Sequence, residues 1–162
     1  MNLHRTITTG LVGVLFFIFH ACTNPSAPQE RILKHQDGSI KRRYTLVKDI
    51  IEGEMTEYYP KTGAIQNKRS FVHGVQTGKT QLFYPDGKIK EVQYYRDGKK
   101  QGGDTIFYPD GRPQFLVTFK DGKMHGPMRK WTEEGKLFFE ARYEQDSLKE
   151  VTTIMKALPD QQ

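Results

Sequence analysis

The 162-residue sequence contains one cysteine, Cys22, and one tryptophan, Trp131. A single cysteine excludes a disulfide bond within the chain. The sequence also lacks a long apolar run, since its most hydrophobic stretch covers only residues 10–19. A bilayer core of about 30 Å needs about 20 apolar residues, so this stretch is too short for a transmembrane helix and instead has the length of a signal-peptide core.

Residue patterns typical of catalysis or metal binding are also missing. The histidines His35, His73 and His125 are far apart in sequence and lack the close spacing of a metal site. Cys22 precedes the main domain and provides no Cys–His pair. The Gly102-Gly103 pair is not followed by the Gly-Lys-Ser/Thr run of a phosphate loop. The sequence therefore predicts no enzyme activity, no metal and no cofactor.

The chain is basic, with 25 lysines and arginines against 19 acids and a net charge of +6. Such a balance can indicate nucleic-acid binding. The basic and acidic residues are interleaved along the chain, however, and the leader indicates export from the cytoplasm. We therefore expect no nucleic-acid partner, and interpret the charge as a solvated surface near an anionic membrane.

A unit of about 24 residues dominates the sequence, and its clearest copy runs from Gly78 to Gln101. Two strand-like runs in this copy are separated by Tyr84-Pro85-Asp86-Gly87, which has the residues of a tight turn. Asp97-Gly98 then predicts a second, two-residue hairpin turn. One copy therefore reads as strand, turn, strand, turn.

Four copies begin at Gly53, Gly78, Gly102 and Gly126, with spacings of 25, 24 and 24 residues. Each copy has one aromatic residue in each strand: Tyr58 and Phe71, Phe83 and Tyr95, Phe107 and Phe119, Trp131 and Tyr143. The repeat glycines are Gly53, Gly63, Gly74, Gly78, Gly87, Gly98, Gly102, Gly111, Gly122, Gly126 and Gly135. A degenerate half-repeat over residues 31–52 precedes the four copies at residues 53–149. Turn residues recurring at this period predict a repeat array rather than a domain with one core.

The repeat aromatics have two interpretations. A single hairpin is unstable in water, so the rings are expected to pack against neighbouring copies. Alternatively, Tyr58, Phe83, Phe107 and Trp131 form a solvent-open groove that stacks on a ligand.

The segments outside the repeats predict the cellular location of the protein. Residues 1–21 are interpreted as a signal peptide, and Ala21-Cys22 at its end resembles a bacterial lipobox, which implies cleavage before Cys22 and lipid attachment to its thiol. Ordinary secretion or an uncleaved anchor are the alternatives. Residues 22–30, with two prolines and no large apolar residue, are expected to be a flexible tether. The protein is then exported and held at a membrane of the cell envelope.

The ends of the array are expected to be capped. Residues 44–51 are predicted to be the opening strand, and the basic cluster Lys41-Arg42-Arg43 to protect that edge by its charge. Residues 150–162 are assigned as a C-terminal cap and tail. The apolar spacing within residues 147–157 favours a short helix, although Val151 to Ile154 would also suit a strand.

The repeats resemble the MORN repeat, in the variant form of bacterial proteins labelled YwqK-type antitoxins. The pattern aromatic-x-x-Gly-x-x-x-Gly-x-x-x-x-aromatic, closed by a further glycine, occurs at Phe71, Gly74, Gly78, Phe83 and Gly87. It recurs from Tyr95 to Gly111 and from Phe119 to Gly135. The resemblance implies an all-β fold, an extended single-layer twisted antiparallel sheet of tandem hairpins.

For function, the resemblance implies binding or scaffolding of a protein partner rather than catalysis. The antitoxin label implies, as an alternative, neutralisation of a toxin by direct binding. A third hypothesis is a hydrolase that works through aspartates of the turns, namely Asp86, Asp97, Asp110 and Asp121.

Overall fold

The structure, a computed structural model, describes residues 27–153 of the chain. These residues form twelve strands in one antiparallel sheet. The strands are β1 (Gln29–Lys34), β2 (Ile40–Val47), β3 (Ile50–Tyr58), β4 (Ile65–Val72), β5 (Val75–Phe83), β6 (Ile89–Arg96), β7 (Lys99–Lys100), β8 (Gly102–Phe107), β9 (Pro113–Lys120), β10 (Lys123–Trp131), β11 (Leu137–Glu144) and β12 (Ser147–Thr153). Each strand pairs with its neighbours in the chain, and the two-residue β7 continues the pairing of β8 with β6. The predicted open, all-β array of hairpins is confirmed.

One side of the sheet, which we call the short-turn side, carries the two-residue hairpin turns. Both residues of each turn have a positive φ, as in Asp97 (49°) and Gly98 (74°). This is the geometry of a type I′ turn, whose twist matches that of the flanking strands. The short-turn side comprises Lys48-Asp49, His73-Gly74, Asp97-Gly98, Asp121-Gly122 and Gln145-Asp146.

The opposite side, which we call the long-turn side, carries connections of five or six residues. In the turn from Tyr84 to Lys88, the Tyr84 N–H donates to the Lys88 carbonyl (2.8 Å) and the Gly87 N–H to the Tyr84 carbonyl (2.9 Å). Asp86 accepts a bond from the Lys88 N–H at 3.1 Å. The predicted Tyr-Pro-Asp-Gly turn thus closes through its backbone and its aspartate.

The glycine that opens each repeat lies at an irregularity in the strand ladder. Gly78 of β5 pairs with Tyr95 of β6. On the other side of β5, Lys68 pairs with Gln81 but Ser70 pairs with Thr77, so β5 has two extra residues there. Gly78 has a φ of 70°, which glycine adopts without a steric penalty. Such a bulge bends the strand and increases its twist, and it recurs in each repeat.

The described residues form a single layer, and few of them are buried. The buried residues all lie near the strand centres: Met55, Thr56, Asn67, Thr80, Asp104, Val117 and Ala141. Four of these seven are polar. Stability therefore comes from contacts between neighbouring strands, as expected for an array in which each repeat supports the next.

The predicted C-terminal helix is wrong for residues 147–153, which form the strand β12. Ser147 to Thr153 pair with β11 after the Gln145-Asp146 turn. Strand β11 would otherwise present unpaired backbone groups, and Val151, Thr152 and Thr153 are β-branched residues that favour a strand. Pairing with the edge of β11 thus outweighed the apolar spacing of residues 147–153, which favours a helix.

The N-terminal end of the sheet also differs from the prediction. Residues 44–51 do not form one strand, because the Lys48-Asp49 turn divides them between β2 and β3. The first edge is β1, which begins at Gln29, within the segment predicted as a tether. The basic cluster lies on β2, and the Arg43 guanidinium forms an ion pair with the Glu30 carboxylate of β1.

The predicted signal peptide at residues 1–21, Cys22 and residues 154–162 lie outside the described residues, as does most of the tether. From residue 27 to residue 153, no helix is long and apolar enough to span a membrane.

Candidate functional site

A hydrogen bond from a tyrosine links each repeat to the next. Tyr84, at the start of a long turn, donates from its hydroxyl to the carbonyl of Phe107, one repeat further on (2.7 Å). Tyr59 and Tyr108 bond to the carbonyls of Phe83 and Trp131 in the same way, each at 2.8 Å. The tyrosine after the first aromatic therefore links one long turn to the end of the first strand of the next repeat. Sequence reasoning located these tyrosines but not their partners, which only the register determines.

The two ends of this series differ. In the half-repeat His35 takes the tyrosine's place, and its Nε2 lies 3.1 Å from the Tyr58 carbonyl. In the last repeat the place belongs to Thr132, whose Oγ1 accepts a bond from Lys136 within the same turn (3.3 Å). The half-repeat is therefore linked to the array like a full copy.

A second series of bonds joins the short turns. The N–H of Gly98 donates to the Gln76 carbonyl in the preceding repeat (2.9 Å). Gly74 and Gly122 make the equivalent bond at 2.9 Å, and Asp146, which replaces a glycine, does so at 3.0 Å. Both sides of the sheet are thus linked from repeat to repeat. The surface side chains are held on a continuous framework.

The repeat aromatics are neither buried nor fully exposed. All eight are half-buried: Tyr58, Phe71, Phe83, Tyr95, Phe107, Phe119, Trp131 and Tyr143. In each copy the second aromatic pairs across the strands with the opening glycine, as Phe119 does with Gly102. Such a pair lets a ring lie over the space that the absent side chain leaves. The second aromatics therefore have room to lie over the opening glycines, and all eight rings are partly exposed at the surface of the sheet.

The eleven repeat glycines all have a positive φ. They lie in turns or at bulges, where L side chains are disfavoured. Gly103, beside Gly102, does not share this conformation, and a Cβ there would lie 3.3 Å from Leu116 Cδ1.

One polar cluster surrounds Glu57 on the face that carries the buried Asn67. The Glu57 carboxylate accepts hydrogen bonds from Arg42 Nε (2.6 Å), from Asn67 and from an Arg69 guanidinium nitrogen (3.1 Å). Burial alone would raise the pKa of Glu57. The hydrogen bonds from Asn67 and Arg42, and the charges of Arg42 and Arg69, outweigh burial and hold this pKa below its ordinary value. The cluster joins β2, β3 and β4.

A second polar cluster on the same face contains two neighbouring carboxyl groups, Glu91 and Asp104. Lys100 Nζ lies 2.5 Å from Asp104 Oδ2, and Gln93 donates to Glu91. Burial raises the pKa of Glu91, and the nearby Asp104 carboxylate raises it further. Asp104 Oδ1 has no hydrogen-bond partner among the described residues. Sequence analysis considered only turn aspartates and missed this pair, although strand alternation places both residues on one face.

Two of the four turn aspartates, those of the long turns, are bound within their own turns. Asp86 and Asp110 accept backbone bonds from Lys88 and Arg112, at 3.1 and 2.9 Å. The backbone bond from Lys88 lowers the pKa of Asp86, and the side-chain bond from Arg112 lowers the pKa of Asp110. These contacts account for the recurrence of aspartate there. Between residues 27 and 153, no group of three or more acidic, histidine or cysteine side chains is placed to hold a metal ion.

The residue pairs that close the short turns change character along the sheet. The first two pairs are apolar, Val47 with Ile50 and Val72 with Val75. The next two are basic, Arg96 with Lys99 and Lys120 with Lys123, and the last is Glu144 with Ser147. Equivalent positions of successive turns therefore place four basic residues on neighbouring turns, with Asp97 and Asp121 between them in the sequence.

A groove lies between the two basic turns. It has a volume of about 500 Å³, and its lining includes Tyr94, Arg96, Thr118, Lys120 and His125. We call it the Arg96–Lys120 groove. Tyr94 is 46% exposed, and the Nδ1 of His125 is buried with no hydrogen-bond partner in the described part of the chain. The groove thus combines an exposed aromatic ring with two cations.

A second groove of about 520 Å³ lies near the C-terminal end of the sheet. Its charged lining residues are Arg129, Glu140, Arg142 and Glu150. Arg129 and Glu140 form an ion pair at 2.8 Å. This groove is mixed in charge and partly neutralised by its own contacts.

The repeats were compared with known protein families. Residues 76–97 and 124–145 match the model of the MORN repeat variant. Both matches begin two residues before an opening glycine, Gly78 or Gly126, so they share one phase of the array. No curated protein matches the chain. MORN repeats suggest a binding or scaffold module, and the MORN repeat family is generally non-enzymatic.

Proposed function

We propose that this protein is a lipid-anchored, non-enzymatic scaffold whose MORN-type sheet binds a partner protein at the cell envelope. The supporting observation is the pair of hydrogen-bond series that joins successive repeats on both sides of the sheet. These bonds fix the relative positions of residues on an open layer. A preorganised surface loses little entropy on binding, which is what a scaffold requires.

Binding is tested by cross-linking the full chain in membranes of its host and identifying the attached proteins. A partner protein recovered reproducibly, and again with purified components, is the expected result. A turnover activity abolished by Asp110→Asn, with no stable partner, would instead support the hydrolase hypothesis.

The membrane anchor rests on Cys22 and the length of chain that follows it. Six residues, 23–28, separate Cys22 from β1. Fully extended, they span about 20 Å, which would hold the sheet close to a membrane surface. We expect Cys22→Ser to release the protein from the membrane fraction and to remove the sensitivity of its processing to globomycin, with Ser26→Ala as the control. Retention of Cys22→Ser in the membrane would contradict lipid anchoring.

The antitoxin function is the alternative within the same binding class. It is supported by the resemblance of the repeats to YwqK-type proteins. Rescue of growth when the chain is co-expressed with a toxin encoded beside it would favour this function over a general scaffold.

A further inference from the structure

We propose that the Arg96–Lys120 groove binds an extended, acidic segment of the partner protein. This inference deepens the proposed binding function and rests on it. The occupant is identified by charge complementarity and by the spacing of the basic residues along the short-turn side.

The cations of this region are available to a ligand. Arg96, Lys99, Lys120 and Lys123 are exposed. Within residues 27–153 none of the four forms an ion pair, whereas Lys100, beside them, is paired with Asp104. The two turns also contain Asp97 and Asp121, so the four cations exceed the local acids by two. Unpaired cations concentrated around a groove attract an anionic partner and orient it.

The groove offers more than charge. Exposed Tyr94 presents a ring for apolar contact. Gly102 also lines the groove, and a Cβ placed on it would have open space around it. A peptide can therefore contact the exposed Tyr94 ring between its charged side chains.

The fold sets the spacing of the charges. Arg96 ends β6 and Lys120 ends β9, and only the β7–β8 chain lies between these strands. Two strand spacings amount to about 9.6 Å. An extended polyproline II segment advances about 3.1 Å per residue, so acids three residues apart are about 9.3 Å apart. We expect glutamate or aspartate at every third position of the bound segment.

The other junctions lack this combination. Each pair of neighbouring short turns has two positions equivalent to Arg96 and Lys120. In the preceding pair of turns these positions are Val72 and Arg96. In the following pair they are Lys120 and Glu144. Among these three pairs of turns, only the pair that contains Arg96 and Lys120 therefore has a cation at both positions. This asymmetry distinguishes a specific groove from the general positive charge of the chain.

The experiment measures fluorescence anisotropy of fluorescein-labelled (Glu-Pro-Pro)5 with the detergent-solubilised full chain at 150 mM salt. The test variant is Arg96→Glu/Lys120→Glu. The control is Lys41→Glu/Lys136→Glu, which has the same net charge and alters exposed lysines near the long-turn side. Far-UV circular dichroism establishes that both variants are folded. We expect the test variant to bind at least about tenfold more weakly, and the control to bind within about twofold of the parent.

Three results with peptides or vesicles, and one with the partner protein, would overturn the proposal. The first is equal weakening by the two double variants, which would mean that only net charge matters. The second is equal affinity for a peptide of the same composition with its glutamates in one block, which would refute the spacing. The third is absence of peptide binding together with Arg96- and Lys120-dependent binding to phosphatidylglycerol vesicles, which would assign the groove to a membrane surface. A partner protein that still binds the Arg96→Glu/Lys120→Glu variant would leave the scaffold function intact and refute the groove alone.

Discussion

The hydroxyl of Tyr84 provides the sharpest test of how the repeats are joined. Tyr84→Phe removes the 2.7 Å bond to the Phe107 carbonyl and keeps the ring. A hydrogen bond of this kind contributes about 0.5–1.5 kcal/mol. For a sheet of this size, about 1 kcal/mol lowers the melting temperature by about 3–5 °C. The triple variant Tyr59→Phe/Tyr84→Phe/Tyr108→Phe should lose about 3 kcal/mol, because the three bonds lie in separate repeats and should act additively.

The assay is urea unfolding followed by far-UV circular dichroism and by the fluorescence of Trp131, the sole tryptophan. The matched control is Tyr94→Phe. Tyr94 is 46% exposed, and its hydroxyl makes no hydrogen bond to any described residue. Its loss should change the free energy of unfolding by less than about 0.5 kcal/mol. Equal stability of Tyr84→Phe and Tyr94→Phe would refute a stabilising role for the inter-repeat bond.

Two further predictions concern the opening glycine Gly102 and the carboxyl groups of Glu57 and Glu91. Gly102→Ala should lower the free energy of unfolding in urea by about 1 kcal/mol or more, because Gly102 has a φ of 82°. Gly103→Ala should lower it by less. A larger loss of stability in Gly103→Ala than in Gly102→Ala would contradict the assigned bulge. Glu57 has a lowered pKa, so the stability it contributes is present above its ordinary value of 4.5 and is lost as the pH falls through its lower folded value. Glu91 has a raised pKa, so its ionisation destabilises the fold as the pH rises above 4.5. Melting curves at pH 7 should therefore show Glu57→Gln less stable and Glu91→Gln more stable than the parent, and shifts of the same sign would contradict these assignments.

The architecture could be predicted from the sequence because each repeat contains the residues that determine its own turns. Asp97-Gly98 and Tyr84-Pro85-Asp86-Gly87 determine turns through their own backbone preferences, and four copies give the same answer. The C-terminal helix failed because the deciding factor was not local. The apolar spacing of residues 147–153 suits a helix, but the unpaired edge of β11 selects a strand.

The functional surface was harder to predict because it depends on register. Arg96 and Lys120 are a repeat apart in sequence, and only the stacking of successive turns brings their cations to one groove. Glu91 and Asp104 likewise become neighbours through the pairing of β6 with β8. Arg96 and Lys120 occupy equivalent positions of successive copies, so the repeat period predicts that they lie on neighbouring turns. Glu91 and Asp104 occupy different positions of their copies, so the period does not predict that pair.

The central claim is that the sheet is an array of interchangeable hairpins, each supported by its neighbours. Deletion of residues 78–101 removes one whole repeat, joins Thr77 to Gly102 and preserves the phase of the tyrosine bonds. Urea unfolding of this shortened chain should show a cooperative transition at a lower urea concentration, with the β-sheet circular dichroism per residue unchanged, whereas deletion of 20 residues from Gly78 should abolish folding. Loss of folding in the 24-residue deletion, or equal stability of the two deletions, would contradict the array.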